Sequence, residues 1–189
     1  MKIGVLGGSF DPIHKGHIKL GGAALRQLGL DKVYFVLSPK TPFKIQDAMW
    51  PVEDRLRMLQ TALKPHKGFQ TARWELKRRG PTYTIDTLKN FKKLHPSAEI
   101  YLIMGSDVFR TFRRWKNPEG ILRLATVVVG RRNGSIKAPI PPRFRGHVLF
   151  LKGRFPAFSS TELRMRLEKG YLRSALPLSV WRMLSGERS

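Results

Sequence analysis

Near-continuous apolar runs punctuate the chain at 2–6 (KIGVL), 32–37 (KVYFVL), 100–104 (IYLIM) and 126–129 (TVVV), each short and rich in β-branched or aromatic residues. Such runs suit strands covered on both faces, because burial on one face alone would make alternate positions polar. Residues 69–72 and 148–151 carry a weaker version of the same pattern. Between the runs, apolar positions recur at helical spacing over 16–28, 52–63 and 84–94. A Ser-Ser-Thr cluster at 159–161 precedes a short periodic stretch at 164–167, Gly170 supplies a stop, and 178–184 predicts a last helix. Alternation of this kind predicts right-handed crossovers. The expected fold is α/β: a doubly wound, mainly parallel sheet with a C-terminal helical segment.

Length changes this picture little. The 189 residues suit a single domain over 1–189 that buries roughly 70% of its unfolded surface without a cross-link. No internal repeat interrupts it; a Gly/Pro-rich basic loop at 131–142 and an irregular stretch at 38–50 read as long functional loops. Cysteine is absent, which excludes disulfides, thiolate metal sites and a cysteine nucleophile. No apolar run nears the roughly 18 residues of a membrane span, and 3–6 is too short for a signal-peptide core, so the expectation is a cytoplasmic protein with no membrane partner.

Charge does change the picture. Lys and Arg number 36 against 13 Asp and Glu, a formal net charge of +23. The surplus is concentrated in 110–173, which holds 16 basic and 3 acidic residues. Positive potential of this size suits a solvated basic surface, nucleic acid or a multiply phosphorylated small ligand, and does not choose among them.

The choice comes from the segment after the first strand, where ligands of open parallel sheets bind. It reads Gly7-Gly8-Ser9-Phe10-Asp11-Pro12-Ile13-His14-Lys15-Gly16-His17. Glycines let backbone approach a ligand, and a helix beginning near Gly16 offers free N–H groups and the positive end of its dipole. His14 and His17 are three apart and share one side of that helix start. Singly, each histidine reads as structural or exposed; two imidazoles, Lys15 and a helix N-terminus converging make a phosphate site. Neither the G-x-G-x-x-G fingerprint nor a P-loop is present. Far downstream, Ser159 and Thr161 sit where hydroxyls cap a helix, and Arg164 follows one turn later, able to project a guanidinium toward the same anion.

These two segments resemble the H-x-G-H and S-x-T-x-x-R signatures of the nucleotidylyltransferase superfamily. Further stretches are similar to the bacterial nicotinate-mononucleotide adenylyltransferase family: Glu75-Leu76-Lys77-Arg78 with Pro81-Thr82-Tyr83-Thr84 and Thr87-Leu88, then Gly105-Ser106-Asp107, Thr111-Phe112-Arg113-Arg114-Trp115 and Val129-Gly130-Arg131-Arg132. The likeness runs from Lys2 to about Arg166. Smaller phosphopantetheine and glycerol-3-phosphate relatives share the outer signatures but not the Tyr-Thr and Trp segments.

The resemblance implies a Rossmann-like nucleotidylyltransferase fold and adenylyl transfer from ATP to nicotinate mononucleotide, giving deamido-NAD and pyrophosphate. It implies His14, His17 and Arg164 as catalytic residues. Gly7, Gly8, Ser9, Phe10, Gly105, Asp107, Arg132, Ser159 and Thr161 would bind ATP, with Asp107 on the ribose hydroxyls. Trp115 would stack on the pyridine ring, the Tyr83 and Thr84 backbone N–H groups would take the ring carboxylate, and Lys44 would reach a phosphate. Taken alone, Asp107 also reads as a helix N-cap and Trp115 as an ordinary aromatic. Thr41-Pro42-Phe43-Lys44 departs from the commoner P-P-H-K or P-P-H-R by lacking the histidine. Mg²⁺ would come with ATP, with no protein metal cage. The rival acceptor is nicotinamide mononucleotide, alone or as a dual preference. The rival of another class is a basic nucleic-acid-binding protein, nucleic acid being a partner the enzyme reading allows but does not need. No oligomeric state is implied.

Overall fold

The computed structural model describes residues 1–39, 48–77, 80–132, 140–156, 160–167 and 173–186, with backbone alone at 77, 132, 166 and 167. The first half comprises β1 (Lys2–Gly8), α1 (Lys15–Gln27), β2 (Lys32–Leu37), α2 (Val52–Leu63), β3 (Phe69–Ala72), a 3₁₀ turn (Trp74–Lys77) and α3 (Thr84–Leu94). The second half adds β4 (Glu99–Gly105), α4 (Ser106–Phe109), α5 (Pro118–Leu124), β5 (Thr126–Arg132), β6 (Val148–Phe155), α6 (Ser160–Leu167) and α7 (Leu178–Ser185), with 3₁₀ turns at Phe112–Arg114 and Pro142–Phe144.

Among the described residues the strands form one sheet in the order β3-β2-β1-β4-β5-β6, every neighbouring pair parallel. The expected doubly wound sheet is the one observed, and the uninterrupted apolar runs have the expected cause. Ile3, Val5, Ile100, Leu102, Val127 and Val129 pack into the core under α3 and α5. The alternate residues Leu6, Val33, Phe35, Ile103 and Val128 face the core shared with α1, α2 and α7. Helices on both faces keep the central strand positions apolar, and polar side chains such as Gln70, Glu99, Lys152 and Arg154 fall at strand ends or on the outer strands β3 and β6.

The structure extends several expected elements. β5 and β6 continue to Arg132 and Phe155, and α6 begins at Ser160 rather than near 164. α4 and α5 carry no helical periodicity because each is only one or two turns long. α5 is started locally instead: Asn117, in the left-handed region at φ 53°, accepts the Gly120 N–H at 2.9 Å through its side chain, and Pro118 follows. The expected stop at Gly170 and residues 133–139 of the expected 131–142 loop lie outside the described residues, while 131–132 close β5 and 142 opens a 3₁₀ turn.

After β1 the chain winds to β2 and β3 on one side, then returns to β4 on the other side of β1. The loops leaving the C-terminal ends of β1 and β4 therefore diverge and open a crevice between them. The C-terminal segment is strapped beneath it: Lys15 N donates to the Ala175 carbonyl at 2.9 Å, and Lys15 Nζ to the Ser174 carbonyl at 2.7 Å. Among the described residues no helix is long and apolar enough to cross a membrane.

Candidate active site

A cavity of about 370 Å³ occupies that crevice. One end is walled by the glycine loop after β1, the start of α1, and Ser160 and Thr161 of α6; the other by the start of α3, Glu75 and Trp115.

The histidine pair is built by helix capping. His14 is the N-cap of α1, and its Nδ1 accepts the His17 N–H at 3.3 Å. His17 reciprocates through its own Nδ1, accepting the His14 N–H at 3.3 Å. This is a capping box with imidazoles in place of hydroxyl and carboxylate. It stacks the rings, centroids 3.6 Å apart and planes 21° from parallel. Because each Nδ1 is an acceptor, the geometry assigns the proton of each neutral ring to Nε2, which makes Nε2 a donor. Gly16 makes the stack possible: a Cβ there would meet His14 Nδ1 at 2.9 Å and Cε1 at 3.0 Å. Phe10 supports the pair from below, edge-on to His17 at 5.1 Å, and holds a left-handed backbone at φ 41° to do so. A bulky residue adopts that conformation only where its surroundings impose it.

Asp11 joins the two ends of the chain. Its buried carboxylate accepts from Met49 N at 3.0 Å, Trp50 N at 3.1 Å and Arg164 Nη1 at 3.2 Å. Arg164 Nη1 also donates to the Asp11 carbonyl at 2.9 Å, and Nη2 to Thr161 Oγ1 at 3.2 Å. Arg55 clamps the same loop from α2: its buried guanidinium donates to the carbonyls of Ser9 (2.8 Å), Trp50 (3.1 Å), Ser38 (3.2 Å) and Pro39 (3.2 Å). Burial pulls the Arg55 pKa below the ordinary arginine value, while Asp11 and Glu53 act against that pull.

At the other end, α3 points its N-terminus at the cavity. Tyr83 is its N-cap and makes no side-chain cap bond, so the helix start presents backbone rather than side-chain groups. Lys116 Nζ lies 4.3 Å above the Tyr83 ring, adding positive charge beside that helix end. Trp115 is half-buried and rests edge-on against Phe112 at 5.5 Å.

A glycine loop, stacked histidines, an aromatic and a helix N-terminus line one cavity, an arrangement that suits a nucleotide. Comparison with known proteins agrees: the cytidylyltransferase-like family model matches residues 5–166. A Thermus thermophilus protein named "Probable nicotinate-nucleotide adenylyltransferase" is 40% identical over 174 residues, 90% of this chain and 88% of its own length. A Clostridium tetani protein of the same name is 32% identical over 176 residues, 89% of this chain and 88% of its own.

The chain belongs to the cytidylyltransferase-like family, in its nicotinate-nucleotide adenylyltransferase branch.

The fold agrees as well. A Plasmodium falciparum nicotinic acid mononucleotide adenylyltransferase complexed with NaAD aligns at TM-score 0.73 over 97% of this chain and 95% of its own, at 20% identity. Of the residues expected in the adenylyltransferase site, Gly7, Gly8, Ser9, Phe10, His14, His17, Tyr83, Thr84, Gly105, Asp107, Trp115 and Thr161 all line the cavity. Three expectations need separate treatment. Arg164 is not on the wall: the structure turns its guanidinium onto Asp11 and Thr161, because a buried carboxylate beside it is the stronger partner. Asp107 lies in the first turn of α4, whose N-cap is Gly105, so it is not the cap. Lys44, Ser159 and the side chain of Arg132 lie outside the described residues.

Asp11 and Arg55 were not singled out from the sequence. Asp11 was hidden within the glycine–histidine motif. Arg55 had a signal: it interrupts the apolar stripe of α2, which continues through Leu59 and Leu63, and a charge on a buried stripe implies a partner. Among the described residues no group of three or more His, Cys, Asp or Glu stands close enough to hold a metal ion.

Proposed function

We propose that this enzyme transfers the adenylyl group of ATP to nicotinate mononucleotide, releasing deamido-NAD and pyrophosphate. The observation that carries the reading is one cavity with donors for phosphate at His14 and His17 and a flat aromatic beside a helix N-terminus at Trp115 and Thr84. The Plasmodium falciparum structure complexed with NaAD supports the same product class.

An oxygen of the mononucleotide phosphate attacks the α-phosphorus of ATP in line, and the bond from that phosphorus to the bridging β-oxygen breaks. The attacking phosphate is ionised at neutral pH, so no general base is needed; the protein positions the reactants and offsets developing charge. Nε2–H of His14 and His17 donate to the phosphates, with the N-terminus of α1 behind them. Ser160 and Thr161 line the same end, and Arg164 holds them against the glycine loop through Asp11. Asp107 takes the ATP ribose hydroxyls. Trp115 stacks on the pyridine ring, while N–H groups at Tyr83 and Thr84 bind its carboxylate. Mg²⁺ enters with ATP. We place the enzyme in the cytoplasm, working as one nucleotidylyltransferase domain.

Pyrophosphate release from Mg·ATP across a panel of phosphorylated acceptors tests the reading. The expected kcat/KM is highest for nicotinate mononucleotide, because fixed N–H donors favour a carboxylate over an amide that brings donors of its own. Higher kcat/KM with nicotinamide mononucleotide would reverse the acceptor assignment, and no release with either would overturn it.

A further inference from the structure

Glu75 is a carboxylate that the transfer as described leaves unused. It is 3% exposed, sits in the Trp74–Lys77 turn after β3, and lines the cavity with Trp115, Tyr83 and Thr84. Ser38 Oγ donates to its Oε2 at 3.0 Å, and Thr87 Oγ1 donates to its Oε1. Two hydroxyls orient the group without supplying opposite charge. Among the described residues, neither Lys, Arg nor His forms an ion pair with it. A buried carboxylate that none of the described cations neutralises is costly, and in a cavity wall a ligand is positioned to supply a counter-charge.

The acceptor has the matching chemistry. A pyridine ring joined to ribose through its nitrogen carries a permanent positive charge. We propose that Glu75 is the counter-charge for that cationic ring. The acceptor end of the cavity then recognises a zwitterion: the α3 N-terminus and Lys116 face the ring's carboxylate, and Glu75 faces its cation. Glu75 would be a specificity residue acting on the ring, remote from the reacting phosphorus. This inference rests on the acceptor reading above. The competing account is structural: Glu75 merely ties β2 to α3 through Ser38 and Thr87.

A pair of acceptors separates the two accounts. One is nicotinate mononucleotide; the other is its benzoate C-riboside 5′-phosphate counterpart, with the same carboxylate and phosphate but a neutral ring. In the wild type, kcat/KM should favour the cationic ring by about tenfold or more. Glu75→Gln keeps the shape and should bring that ratio close to one, mainly by raising KM for nicotinate mononucleotide. Glu75→Asp keeps the charge and should keep most of the preference. A tie-only role predicts that Glu75→Gln lowers both acceptors by the same factor, and that result overturns the proposal. A wild-type ratio near one overturns it with no variant, which covers the case in which Glu75→Gln does not fold. Absence of pyrophosphate release with nicotinate mononucleotide and wild-type enzyme is a different outcome: it overturns the acceptor reading itself, and this inference with it.

Discussion

Replacing Asp11 by Asn tests how the two ends of the chain are held together. The carboxylate side chain is 2% exposed and that of Arg164 14%, and the link between them is 3.2 Å long. Asn keeps one acceptor oxygen, so one of the two N–H bonds from Met49 and Trp50 survives. The other is lost, and Arg164 loses its counter-charge. Removing one member of a well-buried pair costs about 3–5 kcal/mol. The partial exposure of Arg164 and the surviving bond reduce this to about 2–4 kcal/mol. For a chain of this length that lowers Tm by roughly 5–15 °C. Arg164→Met should cost less, about 1–2 kcal/mol, because Asp11 keeps both backbone donors. In the double variant the two costs should fall short of additivity by about 1–2 kcal/mol. Urea unfolding of the four proteins measures the cycle, and pyrophosphate release measures its consequence. The pair holds α6 against the glycine loop, so kcat should drop in both single variants and fall little further in the double. Costs additive within about 0.5 kcal/mol, or an unchanged Tm for Asp11→Asn, would refute the coupling.

His17→Ala should lower turnover by at least roughly 10²-fold, as loss of a preorganised donor does elsewhere, while the capping box costs about 1 kcal/mol of stability; pyrophosphate release and thermal unfolding read the two separately. Gly16→Ala should improve helix propensity by about 0.5–1 kcal/mol yet push the His14 ring out of its stack, so Tm should hold while kcat falls at least about tenfold. If Gly16→Ala retained native turnover, the stacked geometry would not be the working one. Trp115→Ala should raise KM for the mononucleotide by about 5- to 150-fold, the range for losing one stacked base, with KM for ATP little changed in initial-rate kinetics.

Elements and signature motifs are legible from the chain because both are local. A strand buried on two faces must be apolar throughout, and KIGVL, KVYFVL, IYLIM and TVVV can satisfy that only in a covered sheet. The His14–His17 pairing is local too: three residues separate cap from N3, so spacing alone predicts that the rings share a side. Short helices escaped notice because one or two turns carry too few positions to show a period, as at Ser106–Phe109 and Pro118–Leu124.

Partnership across the chain is another matter. Asp11 and Arg164 stand 153 residues apart, and nothing in either neighbourhood announces the other. Arg55 reads as a helix residue until the fold brings four carbonyls to it, and Glu75 as a motif letter until β2 and α3 supply Ser38 and Thr87. Strand order makes these meetings: the reversal of winding between β1 and β4 opens the crevice and gathers the segments at its rim. From the sequence by itself came the strands and longer helices, the phosphate-binding motif and the kind of chemistry. Which charges face each other, and that Arg164 turns to Asp11 rather than into the cavity, was decided by tertiary packing, because electrostatic partners are set by distance through space and not along the chain.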